Sequence, residues 1–295
     1  MGRLSRRVRN GMSYCSKILF VVFVFLAFAL TVGTGSAVGA SLEEIKKRGY
    51  MIVATEDDYP PFEFIKDGKP AGLDHELVAL LKKWAPFEIR QEILPWQGLL
   101  AGVATGKYDV AISAAIITDE RAKTLTFTMP VAEGTHYYVY RAGDNRIKSI
   151  KDLSALTVGV QQGSALAAAL PELDEMLKQM GGHLGKVVQY ASYPEVYQEV
   201  ANGRLDYAIN TVVTIASLVR EKPQVFAMGQ AVSKRSYHAW AVKRGNNELR
   251  DYLNQFLADQ RKNGMLYKLQ GKWLGKAFPD LPSVGKLPGD RPMPE

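Results

Sequence analysis

The chain has 295 residues, 47% of them hydrophobic and 23% charged, which suits one or two cored domains and excludes a disordered or fibrous protein. Its formal charge of +7 looks basic, yet Arg3, Arg6, Arg7, Arg9 and Lys17 all precede the first apolar run, and no acidic residue occurs before Glu43. Without those five the balance is 32 basic against 30 acidic residues, a net +2 that leaves no electrostatic footprint for nucleic acid.

In chain order, the basic start leads into an apolar segment, Ile18 to Val32, followed by the small residues GTGSAVGA. This is the layout of a secretory signal peptide, residues 1–40, with cleavage expected after Ala40; the apolar run is shorter than the roughly 20 residues that span a bilayer comfortably. An uncleaved anchor is the alternative. Arg6-Arg7 hints at twin-arginine export, although a basic signal start explains it as well. The one cysteine, Cys15, falls inside the leader, so the mature chain is expected to have no thiol chemistry.

Tyr50 to Thr55 reads as a strand that Pro60-Pro61 breaks, and Leu73, Leu77, Leu80, Leu81 and Trp84 form one face of a helix. The segment Leu99 to Ile112 (LLAGVATGKYDVAI) then matches Val196 to Ile209 (VYQEVANGRLDYAI) at an offset of 97, with Gly106/Gly203, Asp109/Asp206, Ala111/Ala208 and Ile112/Ile209 identical. Each copy reads as a helix, a glycine stop and a short buried strand, half of a βαβ unit. Two related α/β lobes with parallel, buried sheets follow, and their ligands would bind at the carboxyl ends of the strands.

Directly after the strand Asp109 to Ile117 stands Thr118-Asp119-Glu120-Arg121. Thr118 can cap a short helix, leaving Arg121 one turn in, near the carboxyl end of the sheet. A guanidinium there offers two parallel donors to a carboxylate; a surface ion pair with Asp119 or Glu120 is the plain alternative. In the second half Leu156 to Val160 is a strand, and Gly163-Ser164 leads into a helix. Ser192 and Glu195 have capping-box spacing, with Pro194 suited to the first turn, so a helix starts near Tyr193. Tyr237 to Lys243 is a further strand, and Leu249, Leu253, Phe256 and Leu257 make a helical face that belongs to the first lobe. The chain therefore crosses between lobes twice, near 134–138 and 236–240. The expected organisation is lobe one at 41–136 and 237–275, lobe two at 137–236, and a disordered or extended tail over 276–295 with five prolines.

His75, His136, His183 and His238 show no metal-ligand spacing, so no metal or other cofactor is expected. There is no G-x-S-x-G elbow, phosphate loop or G-x-G-x-x-G either, and no enzymatic activity is expected.

The ordered motifs TEDDYPPF (55–62), GLDHEL (72–77), Trp96, GKYD (106–109), TDER (118–121), VGVQQGS (158–164), GRLD (203–206) and NGMLYKLQGKWLG (263–275) resemble the bacterial periplasmic solute-binding proteins of the polar amino-acid type, family 3, which serve ABC importers. That resemblance covers about Leu42 to Gly275. It implies the type II periplasmic binding protein fold, two Rossmann-like α/β lobes joined by two crossover strands, which acts as a monomer, closes on a small carboxylate ligand and docks on an inner-membrane ABC permease. By the same resemblance Arg121 takes the ligand carboxylate, with backbone amides near Ala114, Ile116 and Ala165 completing the cradle. Tyr59 and Trp96 sandwich the ligand body, although core packing is the plain reading of Trp96. Glu56 lies near the ligand side chain, and lobe two closes through Ser164 and Thr211.

Two departures matter. The family places a hydroxyl two residues before the T-x-x-R threonine and an aspartate five residues past the second G-R-x-D aspartate, both for the ligand ammonium; here those positions are Ile116 and Thr211. Desolvating an ammonium without an anion costs about several kcal/mol. Either Glu56, Asp57 or Asp58 takes over, or the ligand lacks an α-ammonium, and the balance tips slightly to the second. Cyclohexadienyl dehydratases, an enzymatic variation on this family, carry a catalytic glutamate where this chain has Thr214, whose hydroxyl cannot act as a general acid near neutral pH. A ligand-sensing accessory protein is the remaining alternative.

Overall fold

A computed structural model describes residues 40–294. The apolar leader segment, Arg6-Arg7 and Cys15 lie outside the described residues. The described chain opens with α1 (Leu42–Arg48), started by a reciprocal capping box in which Glu44 N donates to Ser41 Oγ and Ser41 N donates to Glu44 Oε2. It continues through β1 (Tyr50–Glu56), β2 (Asp58–Tyr59), β3 (Glu63–Lys66), β4 (Lys69–Ala71), α2 (Leu73–Trp84), β5 (Glu88–Leu94), α3 (Leu99–Thr105), β6 (Val110–Ile116), α4 (Asp119–Ala122), β7 (Leu125–Phe127) and β8 (Ala132–Glu133). The second lobe holds β9 (His136–Arg141), β10 (Val158–Gln161), α5 (Ala165–Ala168), α6 (Leu170–Gln179), β11 (Val187–Tyr190), α7 (Tyr193–Ala201), β12 (Tyr207–Thr211), α8 (Val212–Glu221) and β13 (Phe226–Ala231). The chain then returns along β14 (Tyr237–Lys243) to α9 (Asn247–Lys262) and α10 (Met265–Leu274), and finishes with β15 (Lys286–Leu287) and β16 (Arg291–Pro292).

The first sheet runs β5-β1-β6-β14-β7, with β8 also on β14; the second runs β11-β10-β12-β9-β13. Each has the expected parallel core, β5-β1-β6 and β11-β10-β12. Each then gains an antiparallel strand: β14 against β6, and β9 against β12. A crossing strand enters its new sheet where the parallel strands end, so it must run against them. The two crossings are tied to each other by Gly134 N donating to the Ser236 carbonyl (2.7 Å) and Ser236 Oγ donating to the Gly134 carbonyl (2.6 Å).

The duplicated motif has a physical account. Asp109, just before β6, accepts from Ile52 N of β1 (2.6 Å) and pairs with Arg48; Asp206, just before β12, accepts from Thr157 N at the head of β10 (2.8 Å) and pairs with Arg146. The same carboxylate thus ties the same two strands in both lobes. Gly106 and Gly203 both take left-handed φ, 85° and 80°, as helix-ending glycines do. The helix α7 starts at Tyr193 with Pro194 in its first turn, but Ser192 does not cap it with its side chain and the expected capping box does not form; Glu195 Oε2 instead accepts from Ala191 N, one residue before the cap (3.3 Å).

Leu249, Leu253, Phe256 and Leu257 of α9 are fully buried against the first sheet region, with Leu73, Leu77 and Leu81 of α2. The tail corrects an expectation. Phe278, Leu281 and Leu287 are each buried, β15 pairs with β16, and Arg261 donates to the carbonyls of Leu281 and Pro282. Gly289 N donates to the Arg235 carbonyl, Tyr237 bonds Asp290, and Arg291 pairs with Asp119 at 2.6 Å. Three single apolar anchors at irregular spacing carry no helix or strand period, so the sequence pattern does not show them. Among the described residues, no helix is long and apolar enough to cross a membrane.

Candidate functional site

Strand ends supply the site. Glu56 ends β1, Gln161 ends β10, and the two face each other across the lobes, with Gln161 Nε2 donating to Glu56 Oε1 at 2.6 Å. Around them a small, nearly filled pocket is lined by Glu56, Tyr59, Trp96, Arg121, Ser164 and Tyr193, with Ala114, Ile116 and Ala165. Eight of the nine residues expected at the site are therefore brought together. Thr211 is not.

Arg121 sits where Thr118 puts it. Thr118 Oγ1 accepts from Arg121 N (3.1 Å), capping the single turn α4, and the guanidinium folds back so that Nη1 donates to the Ile116 carbonyl at 2.9 Å. Neither acidic neighbour claims it: Asp119 pairs with Arg291 and Glu120 with Lys123. Among the described residues no carboxylate forms an ion pair with Arg121. Desolvation pulls its pKa down to about 10, so it stays charged at neutral pH while lacking a counter-ion. The surface ion-pair reading fails at this arginine.

Trp96 is buried at the edge of the hydrophobic core and also lines the pocket. Its Nε1 donates to the Gly163 carbonyl of the second lobe (3.2 Å), and its ring faces the Arg121 guanidinium. Tyr59 closes another wall; its hydroxyl donates to Asn210 Oδ1 (2.8 Å), and its ring stacks on Phe62 at 5.7 Å. Ser164 caps α5 by accepting from Ala167 N (3.0 Å). Glu56 is buried, and desolvation, reinforced by Asp57 and Asp58, pushes its carboxyl up to about 8 against the opposing Gln161 bond. It is held ready to ionise beside any cationic group.

Two expectations are corrected. The Ala114 amide is not a free donor, because it is given to Asp74 Oδ2 at 2.9 Å. Thr211 does not face the cavity: its hydroxyl bonds His238 Nε2 (3.1 Å) and Thr214 Oγ1 (3.1 Å), packed within the crossover region. Thr214 also lies outside the cavity lining, 3.4 Å from the Tyr59 hydroxyl. Residues that sequence reasoning missed are Gln161, Tyr193, Ser113 and Leu166. For Gln161 a signal existed, since it ends its strand as Glu56 ends β1. Among the described residues no group of His, Cys, Asp or Glu is placed to hold a metal ion.

A larger groove lies beside α7 and α8, lined by Pro60, Pro194, Leu218 and Phe226. It holds no cationic group but Lys222 and none of the strand ends, so the interlobe cavity is the chemically equipped one.

The chain has relatives among known proteins. The model of bacterial extracellular solute-binding proteins, family 3, matches residues 51–276. The chain is similar to the L-cystine-binding protein TcyJ of Escherichia coli (strain K12), 30% identical over 236 residues, covering 79% of this chain and 86% of that one. It is also similar to the arginine-binding extracellular protein ArtP of Bacillus subtilis (strain 168), 30% identical over 259 residues, covering 87% and 96%. Among solved structures, the ancestral amino acid-binding protein AncCDT-1, a precursor of cyclohexadienyl dehydratase, superposes with a TM-score of 0.69 at 29% identity, covering 79% of this chain and 99% of that one.

Proposed function

Because the chain belongs to the bacterial extracellular solute-binding proteins of family 3, we propose that it captures a small carboxylate-bearing solute, an amino acid or a related organic acid, and delivers it to an inner-membrane ABC importer. One observation carries the reading: a guanidinium at the interlobe cavity that no carboxylate of the described chain neutralises. A ligand carboxylate supplies the missing charge, and two parallel N–H donors match its two oxygens.

The carboxylate enters on Arg121, the aromatic walls Tyr59 and Trp96 hold the body, and the second lobe swings in through Ser164 and Gln161. Closure removes water from the ion pair and strengthens it, while presenting the closed surface that a permease reads. Glu56 is the one carboxylate lining the cavity, and it takes the place that Ile116 and Thr211 leave unfilled, as partner for a ligand ammonium. That favours an amino acid over its des-amino analogue, in keeping with the ligands named for TcyJ and ArtP. The protein is exported to the periplasm by its leader and works as a monomer. Thr214, outside the cavity lining, gives the dehydratase reading no acid.

A thermal-shift screen of residues 41–295 against L-cystine, L-arginine, L-glutamine and their des-amino carboxylates tests this, since ligand bound by the folded state raises its melting point by mass action. Stabilisation by none of these carboxylates, or by amines alone, would overturn the reading.

A further inference from the structure

The ligand strand β6 is bent at its working end. Between the pairs Ala111↔Ala241 and Ala115↔Ala239 it advances four residues while β14 advances two, so β6 bulges around Ser113 and Ala114. Ala114 carries the bend with φ of 41°, a left-handed conformation that is sterically unfavourable for a non-glycine residue. Such a residue persists where its surroundings fix it from both sides. Here they do. Its N–H goes to Asp74 Oδ2 (2.9 Å), whose other oxygen is held by Trp240 Nε1 (3.3 Å), and its carbonyl accepts from His238 Nδ1 (2.5 Å).

The proton positions follow from the partners. A carbonyl can only accept, so Nδ1 of His238 carries the hydrogen; burial keeps the ring neutral, so Nε2 presents a lone pair. The Thr211 hydroxyl, 3.1 Å away, must then donate to Nε2, while its oxygen also lies 3.1 Å from Thr214 Oγ1. Thr211 ends β12 in the second lobe, whereas His238 stands on β14 in the first sheet. An unbroken line of hydrogen bonds thus runs from the second lobe into the bend that shapes the carboxylate cradle.

We propose that His238 is a positioning residue that relays the seating of the second lobe, through the Thr211 hydroxyl, to the left-handed turn at Ala114, so that the cradle takes its binding shape when the lobes meet. The relay rests on reading the Arg121 cavity as the ligand site, but its geometry can be tested without any ligand. Thr211 then acts at one remove from the solute, which explains why a position aligned with a ligand contact turns its hydroxyl to a histidine instead.

Two arms decide it. In the 15N-labelled, ligand-free protein, the His238 ring should show the Nδ1–H tautomer, and Thr211→Val, nearly isosteric, should shift Nε2 and lower the exchange protection of the Ala114 amide by about tenfold or more. An Nε2–H tautomer, or unchanged protection at Ala114, overturns the relay. In the binding arm, with L-cystine as probe, Thr211→Val and His238→Asn should each weaken affinity about 5- to 10-fold, and the double variant no further than either alone. Multiplication of the two losses would show independent roles and overturn the relay. If the unmodified protein does not bind L-cystine, that solute alone is excluded, the binding arm is run with L-arginine or L-glutamine, and the ligand-free arm still decides the relay. Should His238→Asn not fold, Thr211→Val carries both arms.

Discussion

The Arg121 guanidinium lies over the indole of Trp96, its Cζ 5.1 Å from the ring centroid, while the indole N–H donates to the Gly163 carbonyl of the opposite lobe. The tryptophan therefore touches Arg121 with its ring face and the second lobe with its N–H. Cation–π contact orients the guanidinium without neutralising it, which leaves its donors for a solute.

Replacing Arg121 by Ala should weaken binding of the cognate carboxylate about 100-fold, roughly 3 kcal/mol, by isothermal titration. The ligand-free protein should melt at the same temperature or higher, because a desolvated charge without a partner has been removed. Unchanged affinity would take Arg121 out of the site.

Trp96→Ala should cost about 1–3 kcal/mol of binding free energy. Trp96→Phe should recover part of it, since the ring face returns while the bond to Gly163 does not. Equal affinity in all three proteins would make Trp96 a packing residue.

Glu56 offers a pH test with a definite sign. Its folded-state pKa, about 8, lies above its ordinary value of 4.5, so between these limits the folded state binds more protons than the unfolded one and stability falls as pH rises. Buried Glu63, pushed up by burial and by Asp74, has the same sign. His75, His136 and His238 are pushed down from 6.5, so their contribution is lost only as pH falls below that value. The clean window is therefore about pH 7 to 8. There the melting temperature of the ligand-free protein should decline, and Glu56→Gln should flatten the decline; an identical slope in the variant would refute the assignment.

Binding gives the complementary readout. A solute ammonium beside Glu56 should drive off its proton, so titration at pH 7 in buffers of different ionisation enthalpy should show release approaching one proton for an amino acid. Glu56→Gln should abolish the release. A des-amino carboxylate should show none.

Deleting residues 277–295 uncovers the surfaces under Phe278, Leu281 and Leu287, each worth about 1.5–3 kcal/mol when fully buried. The truncated protein should melt several degrees lower by calorimetry, at about 2–4 °C per kcal/mol for a chain of this size. A disordered tail would leave the melting temperature unchanged.

What could be read beforehand follows from sequence distance. The duplicated Asp109 and Asp206 are legible because each recurs at the same place in a repeated helix–glycine–strand segment, although the strands they tie lie 57 and 49 residues away, and the helical faces are legible because their period is local. Arg121 was open between two readings by spacing alone, and only its surroundings separate them. The Glu56–Gln161 pair, 105 residues apart, is made by lobe packing, which no local pattern encodes. Thr211 turned away from the cavity because its partner His238 arrives from a strand that begins 26 residues later, after the chain has crossed back.

The chain's last residues have a practical bearing on any study of this protein. Arg291 pairs with Asp119, two residues from Arg121, and Asp290 bonds Tyr237 at the return crossing. A tag or fluorescent fusion joined after residue 295 is therefore expected to disturb the Arg291–Asp119 pair and the Asp290–Tyr237 bond, and with them the turn that carries Arg121 and the strand that crosses back. A reporter engineered into an exposed loop of the second lobe would leave both undisturbed.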